Sequence, residues 1–154
     1  MKKLLSIASI LSLTACVSPE MTAKIAERNA AFAALRIPML NAQREAGELT
    51  CTKKDQCDRM FRIASDFVTE MSSMKIQIAS PNYISTYNPI NIGNIGMSAR
   101  RTLVSGDTEL IKLEVNCRGI QSGDEQFQLD CFKRVENAYR VYKAKIDLAN
   151  VKGA

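Results

Sequence analysis

A chain of 154 residues with 21 Lys and Arg against 16 Asp and Glu is long enough for one ordinary domain and carries a formal charge of +5, without the dense basic footprint of a nucleic-acid binder. It contains no His and no Trp. The missing imidazole excludes Ser-His-Asp and Cys-His catalysis and removes the commonest transition-metal ligand, so no catalytic residue, metal ligand or cofactor is assigned.

Residues 1–15 carry the parts of a secretory signal in order: the charged start Met1-Lys2-Lys3, an apolar run from Leu4 to Leu13, and small residues at Thr14-Ala15. The apolar run is shorter than the roughly 20 residues that span a bilayer. Leu13-Thr14-Ala15-Cys16 resembles the lipobox of bacterial lipoprotein signal peptides. The resemblance implies cleavage before Cys16, a diacylglyceryl group on its sulfur and an acyl chain (palmitate in type) on its amino group. One chain holds a protein reversibly at about 0.8 kcal/mol per methylene, and several on one residue hold it durably. Val17 stands where an Asp commonly retains such proteins in the inner membrane, so the resemblance implies an outer-membrane address with the domain in the periplasm. Removing residues 1–15 from the 154 leaves 139, and the loss of Lys2 and Lys3 lowers the formal charge from +5 to +3.

After the short tether Ser18-Pro19-Glu20-Met21, residues 20–36 are rich in helix-forming Ala, Glu, Lys and Arg, with Ser18 or Thr22 as the cap. Ile25, Ala26, Phe32, Ala33 and Leu35 make a thin apolar stripe, and Pro38 is expected to end or kink the segment before a second piece that Gly47 stops. Residues 16–50 therefore read as anchor, tether and N-terminal helical segment, docked on the domain in preference to lying in the membrane interface. The compact domain is expected over residues 51–154.

Thr52-x-x-Asp55 reads as a helix start. Cys57, Met60, Phe61, Ala64, Phe67, Val68 and Met71 then recur at three- and four-residue spacing, the clearest amphipathic helix in the chain. Beyond Ser72-Ser73 the period changes to two, and residues 74–79, 83–87, 98–105 and 108–117 read as strands, the last pair a hairpin closed at Ser105-Gly106-Asp107. Cys131, Phe132, Val135, Ala138, Tyr139, Tyr142 and Ile146 place a final amphipathic helix over residues 128–148. The expected class is α+β: an antiparallel sheet of about four strands on two amphipathic helices, preceded by the N-terminal helix.

With Cys16 assigned to lipid, Cys51, Cys57, Cys117 and Cys131 remain. Export makes disulfides the default, and four cysteines permit three pairings. The favoured one is Cys51–Cys57, pinning the entry of the first domain helix, with Cys117–Cys131, tying the last strand to the final helix. Each is worth on the order of 2–3 kcal/mol. The spacings fit neither a four-Cys zinc site nor a Cys-x-x-Cys oxidoreductase.

Residues 88–97, with their Asn-Ile-Gly echo, place Ile90, Ile92, Ile95 and Met97 in a loop-like context beside two glycines. They are the candidate partner-binding loop if exposed, and core residues under a long turn if not. From Cys51 onward the pattern is also similar to small Gram-negative lipoproteins of unknown function: a Cys-bounded helix, a segment like Lys75-Ile76-Gln77 leading to Thr86-Tyr87, and a late Cys pair. That likeness brings no activity. The expectation is a non-enzymatic, lipid-anchored envelope protein, a binding or accessory subunit at the outer membrane. Its contacts would be the membrane through the lipid and an envelope protein, with no nucleic acid. The alternatives are a pilotin-like chaperone, which needs a groove between helix and sheet, and a His-independent envelope enzyme, which needs convergent carboxylates.

Overall fold

The computed structural model describes residues 18–152. Cys16 and the signal segment over residues 1–15 lie outside the described residues. The order is α1 (Pro19–Ala46), β1 (Glu48–Cys51), α2 (Lys54–Met71), β2 (Ile76–Ser80), β3 (Tyr83–Thr86), β4 (Ile95–Ser105), β5 (Thr108–Cys117) and α3 (Glu125–Lys152). The strands form one antiparallel sheet in the order β1-β5-β4-β3-β2. Helices α2 and α3 cover one of its faces, and α1 lies chiefly against α3. The class is α+β, as expected, with five strands.

The alternation read along β5 is real: Ile111, Leu113 and Cys117 are buried, while Glu114 and Asn116 face solvent. A half-solvated antiparallel sheet shows this pattern because successive side chains take opposite faces. The buried set meets Met60, Ala64, Phe67 and Val68 of α2 and Val135, Tyr139 and Tyr142 of α3 in one core. The β4–β5 hairpin turns at Gly106-Asp107, with Ser105 opposite Thr108.

Four local expectations are corrected. The fifth strand, β1, is only Glu-Leu-Thr-Cys, too short for its alternation to register. It pairs Glu48–Cys51 with Glu109–Lys112 of β5, its last residue held to α2 by the Cys51–Cys57 disulfide, and it opens the sheet three residues before Cys51. Pro38 neither ends α1 nor splits it, for the helix runs unbroken over 28 residues. Met39, Ala42 and Ala46 beyond the proline are buried in the core, and that packing offsets the hydrogen bond a proline cannot donate. Helix α2 begins at Lys54 with Lys53 as its N-cap and no side-chain cap; Gln56 instead accepts from the Thr52 N–H. Strand β4 starts at Ile95, earlier than the alternation alone indicates. Ser73 donates its backbone N–H to the Ile95 carbonyl and accepts from the Ile95 N–H through its hydroxyl, while the Ser72 hydroxyl donates to the same carbonyl.

Candidate interaction surfaces

Both disulfides join the favoured pairs. Cys51–Cys57 and Cys117–Cys131 have Cα separations of 5.4 and 5.6 Å. The first ties β1 to the opening turn of α2, and the second ties the end of β5 to α3. Their loops of 6 and 14 residues restrict the unfolded chain by roughly 2 and 3 kcal/mol in the chain-entropy account.

The structure divides the candidate loop in two. Ile95 and Met97 belong to β4 and are buried at 8% and 4% exposure, packed in the core, so their place in a binding loop is withdrawn. Ile90 and Ile92 are exposed at 80% and 50%. The two glycines of the echo have separate tasks. Gly93 adopts φ +83°, where only glycine sits without strain, and Gly96 lies where an added Cβ would stand 2.8 Å from Pro89 Cδ. The Thr86 hydroxyl accepts the Met97 N–H at 2.9 Å, closing β3 against β4 as the loop departs. The Gly93 N–H donates to the Arg118 carbonyl, so the loop is fastened to the segment that follows β5. There Ile92 Cγ2 and Phe127 Cβ both approach Gly119, the latter from the first turn of α3.

Helix α1 has a continuous seam at alternating spacings of four and three: Met21, Ile25, Arg28, Phe32, Leu35, Met39, Ala42 and Ala46. The stripe Ile25, Phe32 and Leu35 continues through Pro38 as Met39, Ala42 and Ala46, a heptad spacing present in the residues once the helix is taken as unbroken. From Phe32 onward it packs, with the Phe32 ring edge-on to Phe132 at 6.0 Å. Arg28 reaches Glu125 at 3.7 Å, at the very start of α3. Residues 19–27 therefore overhang α3, and Met21 and Ile25 are exposed at 56% and 49%. Beside the packed part, Phe32, Ala33, Ile37 and Leu40 line a groove of about 530 Å³ with Arg28, Arg36 and Gln128.

Adjacent strand residues face opposite ways, and Arg100 and Arg101 do so. Arg100 lies 5.0 Å from the centre of the Tyr83 ring. Arg101 turns toward the helices, where its guanidinium makes a two-point contact with Glu109 and donates to Asp58 at 2.6 Å. Arg101 holds the Glu109 carboxyl below its usual range, and Lys54 with Arg101 does the same for Asp58. Both carboxylates are already neutralised by cations, and a second pair, Glu48 and Glu114, is bridged by Lys112 at 3.2 and 3.3 Å. The sulfurs of Cys51 and Cys57 also lie within 4.8 Å of a Glu109 oxygen. The disulfide consumes both thiolates and Arg101 the carboxylate, so this donor set does not suit a metal.

No protein-family model matches the chain, and no curated protein matches it.

Proposed function

We propose that the chain is a lipid-anchored cell-envelope protein, a non-enzymatic binding or accessory subunit held at the outer membrane and facing the periplasm. The observation that carries the reading is the order signal segment, Leu13-Thr14-Ala15-Cys16, helix: α1 opens at Pro19, three residues after the lipidation candidate. Two internal disulfides support an oxidising compartment. The exposed apolar groups of α1 and of the loop, Met21, Ile25, Ile90 and Ile92, support a role in contact. The neutralised state of Asp58 and Glu109 supports a structural use of the converging carboxylates. The pilotin-like variant asks for a groove between helix and sheet; one of about 330 Å³ lies between Leu40, Gln43 and Arg44 of α1 and Lys112 and Glu114 of β5, but it is smaller than the groove along α1 and is rimmed by the charged groups Arg44, Glu48, Lys112 and Glu114.

The test is Cys16→Ser expressed with its own signal. The wild-type chain is expected in the membrane fraction, with a mature mass that starts at Cys16 and includes the lipid. The variant is expected to be released or to remain unprocessed. Unchanged membrane retention with a normal mature mass would reject the anchor.

A further inference from the structure

Two separate sets of exposed apolar side chains meet at one end of the domain. The first is the overhanging seam of α1, Met21 and Ile25, which continues the packing face of that helix past the start of α3. The second is the tip formed by Ile90 and Ile92, with Phe127 beside it at 39% exposure. A chain of contacts shows that both belong to the same end. Ile92 and Phe127 approach Gly119, Phe127 follows Glu125 by two residues, and Glu125 is the partner of Arg28, from which the overhang departs. Strand β4 carries an exposed apolar pair, Leu103 and Val104, at the far tip of the hairpin, eight residues from Ile95 or about 26 Å along the strand.

Only the first of these ends adjoins the anchor. Between Cys16 and Pro19 the chain can span at most about 10 Å, so a lipid on Cys16 brings the overhang to the headgroup region. The overhang spans nine residues up to Arg28, about 13 Å of helix, short enough for the loop tip to reach the same interface when the helix tilts. The nearby charges do not add up to a basic patch: Lys24 pairs with Glu20 at 2.8 Å and Arg28 with Glu125 at 3.7 Å, and the exposed Glu27 lies between Ile25 and Arg28, so attraction to lipid at this end rests on the apolar side chains and not on cations. We propose that this end of the domain, through Met21, Ile25, Ile90 and Ile92, seats on the lipid bilayer and so sets the orientation of the anchored domain. The hairpin tip at Leu103-Val104 then points away from the membrane. The proposal rests on the lipid-anchor reading and adds to it which face of the domain meets the lipid.

The absence of Trp makes a direct test available. The lipidated full-length protein is prepared with single substitutions Met21→Trp, Ile90→Trp, Ile92→Trp or Leu103→Trp, all at exposed positions. Each is reconstituted in vesicles of phosphatidylethanolamine and phosphatidylglycerol with brominated acyl chains, which quench only an indole at the membrane. Emission at positions 21, 90 and 92 is expected to fall by about half, while Leu103→Trp is unchanged. The mass of each mature chain, read separately, reports whether Cys16 carries lipid; a chain without it overturns the anchor and the seating together. Equal quenching at Leu103→Trp, or none at 90 and 92 in chains that carry the lipid, overturns the seating and leaves the anchor intact. The latter result, with one envelope protein photo-crosslinked from position 90, assigns this surface to a protein partner instead.

Discussion

Tyr139 and Tyr142 stand three residues apart on α3, both fully buried, and their hydroxyls meet different fates. The Tyr139 hydroxyl accepts the Val115 N–H and donates to the Leu113 carbonyl, both at 3.3 Å. Strand β1 covers β5 only from Glu109 to Lys112, so this phenol takes over where the strand stops. The Tyr142 hydroxyl has no partner among the described residues. A buried backbone group left unpaired costs about 1–3 kcal/mol, whereas removing an unpartnered hydroxyl costs nothing in lost bonds. Tyr139→Phe is therefore expected to destabilise the fold by about 1–2 kcal/mol in urea unfolding, and Tyr142→Phe to leave it unchanged or stabilise it slightly. Helical spacing was enough to place both rings in the core. Which hydroxyl finds a strand edge depends on where β1 ends, and no window of sequence around α3 contains that.

At the scale of elements, α1 shows how tertiary packing overrides a local breaker. Its first turns have a good start, with Ser18 accepting the Met21 N–H and Pro19 in the first turn, but no side chain from Pro19 to Ala31 is buried. Its last turns hold Met39, Ala42 and Ala46 in the core, and Gly47 accepts the Leu113 N–H from β5. Removing residues 17–27 from the mature chain is therefore expected to leave the melting temperature almost unchanged. Removing residues 17–47 strips the core residues and the lead into β1, and is expected to lower it by more than about 10 °C or abolish cooperative melting. Thermal unfolding by circular dichroism distinguishes the two. The helical composition of residues 20–36 was legible in the residues, but the expected docking holds only from Phe32 onward, since residues 19–31 bury no side chain. Its continuity was not, because the penalty of Pro38 is local and the apolar burial that outweighs it is supplied by α3 and the sheet.

For the whole molecule, the charged and phenolic groups set a working range of pH. Glu109 and Asp58 ionise more readily in the fold than their ordinary values of 4.5 and 3.8, through Arg101 for the first and through Lys54 and Arg101 for the second. A carboxyl lowered in this way stabilises the fold above its unfolded pKa, and that contribution disappears as pH falls through the folded one. Burial pushes the Tyr139 phenol from 10 up to about 12 and raises Tyr142 as well. Their contribution is complete below pH 10 and is lost as pH rises through the folded values. Melting temperature is therefore expected to hold a plateau from about pH 5 to about pH 9 and to fall on both sides. Arg101→Met should lower the plateau and flatten the acid limb, leaving the alkaline limb in place. An acid limb as steep as that of the wild-type chain would show that Arg101 does not hold these carboxyls.

Periodicity is local, and what depends on it could be read along the chain: the 3.6-residue rhythm of α2 and α3, the two-residue rhythm of β5 and the hairpin at Gly106-Asp107. The even set of cysteines left once Cys16 is assigned to lipid pointed the same way, toward a domain tied by disulfides. Position in space decided the rest. Cys51, Cys57, Cys117 and Cys131 admitted three pairings until the fold brought β1 to α2 and β5 to α3. Arg101 was visibly a strand residue facing away from Arg100, yet its partner Asp58 lies 43 residues away in the chain. The four apolar residues of the Asn-Ile-Gly stretch looked alike in sequence. Ile95 and Met97 became core because Ser72, Ser73 and Thr86 hold the start of β4 in the sheet, and Ile90 and Ile92 stayed outside because the chain reaches β4 only after Gly93 has turned it.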